Sequence, residues 1–177
     1  MLAALAVGSV AGCGTRLPPF ARTPSSIAPS ATPVLDDLPC PPASVDGPTV
    51  CAHEVDATAV PVVVRATDHV APIDDASGVA FVLTNATGER LRFNPNNPDV
   101  YRYGERGYDR IRRRSSGNGV VDVPVGGEYE WRLTDLAVFD RLSPGSFLFA
   151  VRAPTAGTME TDWVTCLAPF RLTAAGG

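Results

Sequence analysis

Between Gly78 and Phe93 the apolar positions fall on every second residue. Val79, Phe81 and Leu83 share one face, and after Asn85-Ala86-Thr87-Gly88 the pattern resumes with Leu91 and Phe93 set against Arg90 and Arg92. Alternation on both sides of turn-forming residues predicts a hairpin with one wet face. The same pattern recurs along the chain. Val60 to Thr67 is β-branched, and Pro61 near its start predicts an edge or first-residue position. Tyr101 and Tyr103 predict a short strand, and Tyr108 to Arg113 another. Tyr129, Trp131 and Leu133 alternate against Glu128, Glu130, Arg132 and Thr134. Phe147, Phe149 and Val151 follow the turn signal Leu142-Ser143-Pro144-Gly145, and Trp163 to Thr173 forms the last strand, with Val164, Cys166, Phe170 and Leu172 on one side.

The segments between these strands are read from their composition. Asp68 to Ser77 reads as a loop. Asn94 to Asp99 carries two X-Pro bonds, which exclude both helix and central strand. Only Thr134 to Leu142 has room for a helical turn. Seven to nine short strands, with turns every 8 to 12 residues or so, predict an all-β fold: an antiparallel Ig-like sandwich with Greek-key connections.

The amino end departs from this pattern. Leu2 to Val10 is a short apolar run, well below the roughly 20 residues that a membrane-spanning helix needs. It runs into Val10-Ala11-Gly12-Cys13, which resembles the lipobox of prokaryotic lipoprotein signal peptides. That resemblance implies cleavage after residue 12 and a lipid on Cys13. Such a peptide carries a positive n-region, and none precedes Leu2, so the expected start codon lies further upstream. From Gly14 to Thr49 the chain holds nine of its 17 prolines. Such a stretch buries too little apolar surface to order itself, which predicts a tether. The expected organisation is a signal peptide at 1–12, a tether at 13–49 and a β-sandwich domain at 50–177.

Thr84-Asn85-Ala86-Thr87-Gly88 ends one strand, Gly126-Gly127-Glu128 opens the strand carrying Trp131, and Leu142-Ser143-Pro144-Gly145 opens another. In that order these turns resemble the bacterial and archaeal Ig-like ("Big") domains of small secreted or lipid-anchored proteins, over roughly Val60 to Thr173. Gly-Gly-Glu stands where those domains usually have Pro-Gly-Glu. The intracellular proteinase-inhibitor domain is similar at a greater distance. The first resemblance implies a noncatalytic, lipid-anchored cell-surface domain with a binding or structural role. The second implies an inhibitor that presents a loop, here Asn94 to Tyr108, to an enzyme cleft.

Composition narrows the chemistry. A net charge of -4 lacks the dense positive footprint that nucleic acid requires. All 15 basic residues are Arg, so Schiff-base chemistry and a phosphate-binding P-loop lysine are excluded. His53 and His69 form no H-E-x-x-H, and no G-x-S-x-G or C-x-x-C occurs, so no catalytic residue, cofactor or metal ligand is expected. Asn94, Asn96, Asn97 and Asp99, with Asp68, Asp74 and Asp75, offer oxygen ligands, but their spacing is not that of an EF-hand loop.

With Cys13 lipidated, three cysteines remain for an exported protein. Cys40 with Cys51 is the first choice of disulfide, and Cys166 with either of them is the alternative. Asn85-Ala86-Thr87 is an N-glycosylation sequon on what reads as an exposed turn. Arg110, Arg112, Arg113 and Arg114 form the one charge run. It suits an edge strand protected from aggregation, or contact with anionic lipid or a surface polymer. The partners expected are the membrane, through the lipid, and a surface protein or polymer.

Overall fold

The computed structural model describes residues 38–40, 42, 45, 47–56, 59–96, 98–111, 117–156 and 162–176. Residues 1–37, including the signal-peptide segment and Cys13, lie outside them, as do Asn97 and Arg112 to Arg114. The described chain is mostly β, with several sheets built of antiparallel strands. The strands are β1 (Thr49–Cys51), β2 (Val62–Ala66), β3 (Val70–Pro72), β4 (Ala80–Asn85), β5 (Leu91–Phe93), β6 (Asp99–Gly104), β7 (Gly107–Ile111), β8 (Val121–Val123), β9 (Glu128–Arg132), β10 (Gly145–Pro154) and β11 (Trp163–Thr173). The largest sheet runs β1-β11-β10-β6-β7, with β3 also on β11; a second runs β2-β4-β9; β5 and β8 form a third.

Eleven described strands exceed the seven to nine expected, because β1 and β3 are three-residue pieces too short to show a period. Both also run parallel to β11, so the fold is not antiparallel throughout. Pro169 supplies a physical reason for the split. The N–H groups of Thr165 and Arg171 point to this edge of β11, donating to Pro48 O and His69 O, so position 169 faces the same way. A proline there has no N–H to give, and it falls in the gap between β1, which pairs with 165–167, and β3, which pairs with 171–173. β3 and the 3₁₀ turn Ile73–Gly78 replace the loop expected at Asp68 to Ser77.

The expected hairpin at Gly78 to Phe93 is corrected. β4 lies between β2 and β9, and β5 pairs with β8, so the two arms belong to different sheets. The alternation itself is kept: Val79, Phe81, Leu83, Leu91 and Phe93 are all buried, while Arg90 and Arg92 are exposed. Asn85 redirects the chain. Its side-chain Nδ2 donates to the carbonyls of Glu89 (2.9 Å), Val123 (3.1 Å) and Pro124 (2.9 Å), and its Oδ1 accepts from Thr87 N (3.0 Å) and Thr87 Oγ1 (2.6 Å). These bonds satisfy the backbone of the 85–89 turn and join it to the end of β8, so the next strand starts beside β8 rather than beside β4.

The core lies between the β2-β4-β9 sheet and the inner face of β10 and β11. Phe81 stacks on Phe149 at 4.1 Å and meets Phe170 edge-on at 5.1 Å, and Trp131 packs on Phe149 at 5.5 Å. Phe93 of β5 closes one end against Tyr129 and Trp131. β10 and β11 are buried on both faces, which accounts for their nearly unbroken apolar sequence. β2 takes the sheet-edge position that Pro61 predicts. The helical turn expected within Thr134 to Leu142 is present as two 3₁₀ turns, Leu133–Asp135 and Phe139–Arg141.

Replacing Asn85 by Ala removes the donor from three carbonyls, and at about 1–3 kcal/mol per buried unsatisfied group the expected loss is on the order of 3–5 kcal/mol in urea unfolding. Asn85→Asp is expected to be at least as damaging at neutral pH, because a carboxylate donates nothing to those carbonyls. Acidification should relieve part of its cost, since the protonated acid regains one donor. An Asn85→Ala variant within about 1 kcal/mol of wild type would show that the turn holds without this side chain.

Candidate functional site

Two features stand apart from the core: a strap that crosses the outer face of the large sheet, and a cleft at one end of β6. The strap begins before the boundary expected at residue 50, since Thr49 is already in β1 and Leu38 is buried. Cys40 and Cys51 are joined in a disulfide across a sequence separation of 11. This is the first-choice pairing, and Cys166 is left as a free thiol. Around the disulfide, Cys51, Tyr101, Leu148, Ala150 and Leu167 form a second apolar cluster, against which Cys40, Val45 and Tyr108 pack.

Backbone bonds hold the strap in place. Val45 N donates to Pro42 O, Thr165 N to Pro48 O and Ala52 N to Leu167 O. His53 Nε2 lies 3.2 Å from Leu38 O. Gly47 sits at a φ of +88°, and a Cβ there would come within 2.9 Å of the Trp163 ring. That ring also stacks under the Arg152 guanidinium, 3.7 Å from its centroid.

The cleft has a volume of about 210 Å³, and Pro95, Pro98, Val100, Leu136 and Val138 form its apolar walls. Three bonds shape it. Trp131 Nε1 donates to Pro95 O at 2.7 Å, Asn94 Nδ2 to Gly117 O at 3.2 Å, and Asn96 N to Asn94 Oδ1 at 2.9 Å. Asn96 also lines the cleft, and a Cβ on Gly119 would come within 2.4 Å of its side-chain nitrogen, so this wall depends on the glycine. The exposed carboxylate of Asp135 completes the lining and has no ion-pair partner among the described residues. The asparagines and prolines were visible in the sequence as a turn. Asp135, Leu136 and Val138 carried no signal, because they meet that turn only through the packing of β9 and β6.

The other candidate residues are scattered. Asn85, expected on an exposed turn as a glycosylation acceptor, is instead fully buried with its amide nitrogen bonded to three carbonyls. The sequon's Asn-x-Thr spacing serves this turn, Thr87 being the residue that closes on Asn85. Asn94 to Tyr108, expected as the segment an inhibitor would present, is mostly strand among its described residues. β6 and the start of β7 occupy most of it, joined by a tight turn at Glu105 and Arg106. Arg110 lies on β7, the outer strand of the sheet, and pairs with Asp99 at 2.6 Å. Asp75 Oδ1 accepts from Ser77 Oγ within the Ile73–Gly78 turn. Among the described residues no group of three or more His, Cys, Asp or Glu side chains is placed to share a metal ion.

Burial raises the Cys166 thiol to about 12, and its Sγ donates a long contact to Val62 O at 3.8 Å. Burial, with Tyr103 beside it, also raises the Tyr108 phenol, whose buried oxygen has no hydrogen-bond partner. No known protein family, curated protein or solved structure matches the chain. Fold and site together define a disulfide-stapled, mostly β domain with a strapped sheet face and a small cleft among its described residues.

Two outcomes are expected. Replacing Cys40 and Cys51 together by Ser should cost about 2–4 kcal/mol in urea unfolding, with near-wild-type stability showing that backbone bonds alone hold the strap. Cys166 should resist iodoacetamide in the native state and react in denaturant. The unfolded thiol deprotonates near 9 while the native thiol keeps its proton, so stability should fall as the pH rises from about 9 towards 12. A Cys166→Ala variant should show a shallower fall across that window, and an identical profile would remove the thiol from the account.

Proposed function

We propose that this chain is a noncatalytic, extracytoplasmic domain with an Ig-like β-sandwich, anchored to the cell membrane by a lipid on Cys13 and acting in binding or structure at the surface. The observation that carries the reading is the Cys40–Cys51 disulfide. Structural disulfides persist in oxidising compartments, so a bond that fastens the strap to the sheet fits a protein folded after export. The apolar run Leu2 to Val10 and the lipobox-like Val10-Ala11-Gly12-Cys13 supply a route there.

Two features support the Ig-like arrangement. Aromatic stacking joins β4 and β9 to β10 and β11 across the core, as two layers of a sandwich require. Strands distant in sequence are neighbours, with β4 beside β9, β5 beside β8 and β6 beside β10, as Greek-key connections require. A surface role without catalysis fits the way several charged groups are used, with Asp99 held by Arg110, Glu130 by Arg132 and Asp122 by Arg92.

The anchoring is tested on the protein made in its native host from its own upstream start, by measuring intact mass and membrane partition for wild type and Cys13→Ser. Wild type is expected in the membrane fraction with a mass fitting cleavage before Cys13 plus lipid, and the variant is expected to be released. Recovery of both as soluble, uncleaved chains would end the lipoprotein reading.

A further inference from the structure

Among the described residues, the cleft beside β6 has one charged group in its lining, Asp135; apolar side chains form much of its wall, and its rim carries the Asn96 amide. Its volume of about 210 Å³ admits a small head group carried on a short chain. The cleft is also shaped in advance, because Trp131 and Asn94 fix the two turns that form it. A ligand would therefore meet walls that need little ordering.

From this geometry we infer that the cleft binds an organic cation with a short apolar stem, the stem lying against Pro95, Pro98, Leu136 and Val138 and the charge beside Asp135. Among the described residues no basic group lines the cleft, so an anion would meet the carboxylate with nothing there to offset it. A purely apolar ligand would leave that carboxylate partly desolvated and unpaired, which is costly. The same chemistry has two sources: a free alkylamine or alkylguanidine, and an arginine or lysine side chain on another protein. The inference deepens the binding role proposed above but depends on the cleft alone, so failure of the Cys13 experiment would leave it standing, and its own failure would leave the anchoring reading untouched.

Trp131 makes the cleft observable, because its indole N–H bonds to the Pro95 carbonyl in the cleft wall. The full chain, labelled with ¹⁵N, is titrated with butylguanidinium and with butylurea, its uncharged isostere, and the Trp131 Nε1–H resonance is followed. Butylguanidinium is expected to shift that resonance with a millimolar Kd, and butylurea to bind at least about threefold more weakly, the range an exposed ion pair supplies. In Asp135→Asn the preference for the cation should vanish while the rest of the spectrum is kept.

No shift at saturating probe, equal binding of the two probes, or a preference that survives Asp135→Asn would overturn the inference. Should the variant fail to fold, the comparison of the two probes on wild type decides it. N-acetylarginine amide separates the sources. Binding comparable to butylguanidinium assigns the cleft to a side chain on a protein partner, and failure to bind while butylguanidinium binds assigns it to a free cation.

Discussion

The buried side chain of Asn85 is the interaction on which the arrangement of strands depends. An amide nitrogen has two hydrogens, and here it faces three carbonyls, so one hydrogen is shared between two acceptors. The backbone of the same residue is also used, Asn85 N donating to Gly127 O and Asn85 O accepting from Gly126 N. One residue thus fixes the end of β4, the 85–89 turn and the segment between β8 and β9. With these three held together, β9 must enter beside β4 and β5 must pair with β8. No other side chain of this size supplies two donors and an acceptor at one point.

The rest of the fold closes around that arrangement. β11 is a central strand of the large sheet, with β10 along one edge and two short parallel strands along the other. Its inner face meets Phe81 and its outer face meets the strap, so both faces are dry. A strand buried on both faces cannot alternate, and its sequence does not. The disulfide, the bond between Thr165 and Pro48, and the close fit of Gly47 on Trp163 hold the strap against this outer face. Without the strap, Leu148, Ala150 and Leu167 would face water.

These constraints also shape the cleft. The 94–96 turn leaves β5 and leads into β6, and the indole of Trp131 on β9 holds it through the Pro95 carbonyl. The 3₁₀ turn after β9 brings Asp135, Leu136 and Val138 to the same place. A binding surface built this way has its walls on turns and its supports on strands, which keeps it shaped before a ligand arrives.

The alternation of Phe81, Leu83, Tyr129, Trp131, Phe147 and Phe149 determined by itself that this is a β protein, and it marked which residues enter the core, because a period of two places alternate side chains on one face. The cysteine spacing and the apolar run at the amino end made a disulfide and an export signal legible as expectations. Strand partnership was not legible, since alternation is the same whichever neighbour a strand takes. Asn85 read as a surface turn residue because its sequence neighbours are turn formers, and its three acceptors come from positions 89, 123 and 124. The described strap residues before β1 read as tether for a related reason: a proline-rich segment has no period of its own, and Cys40, Val45 and Pro48 take their places through the disulfide, the apolar cluster and the edge of β11. Local chemistry therefore specified the class of structure and its core, and only the long-range hydrogen bonds and ring contacts of the folded chain decided which strands meet and where a cleft forms.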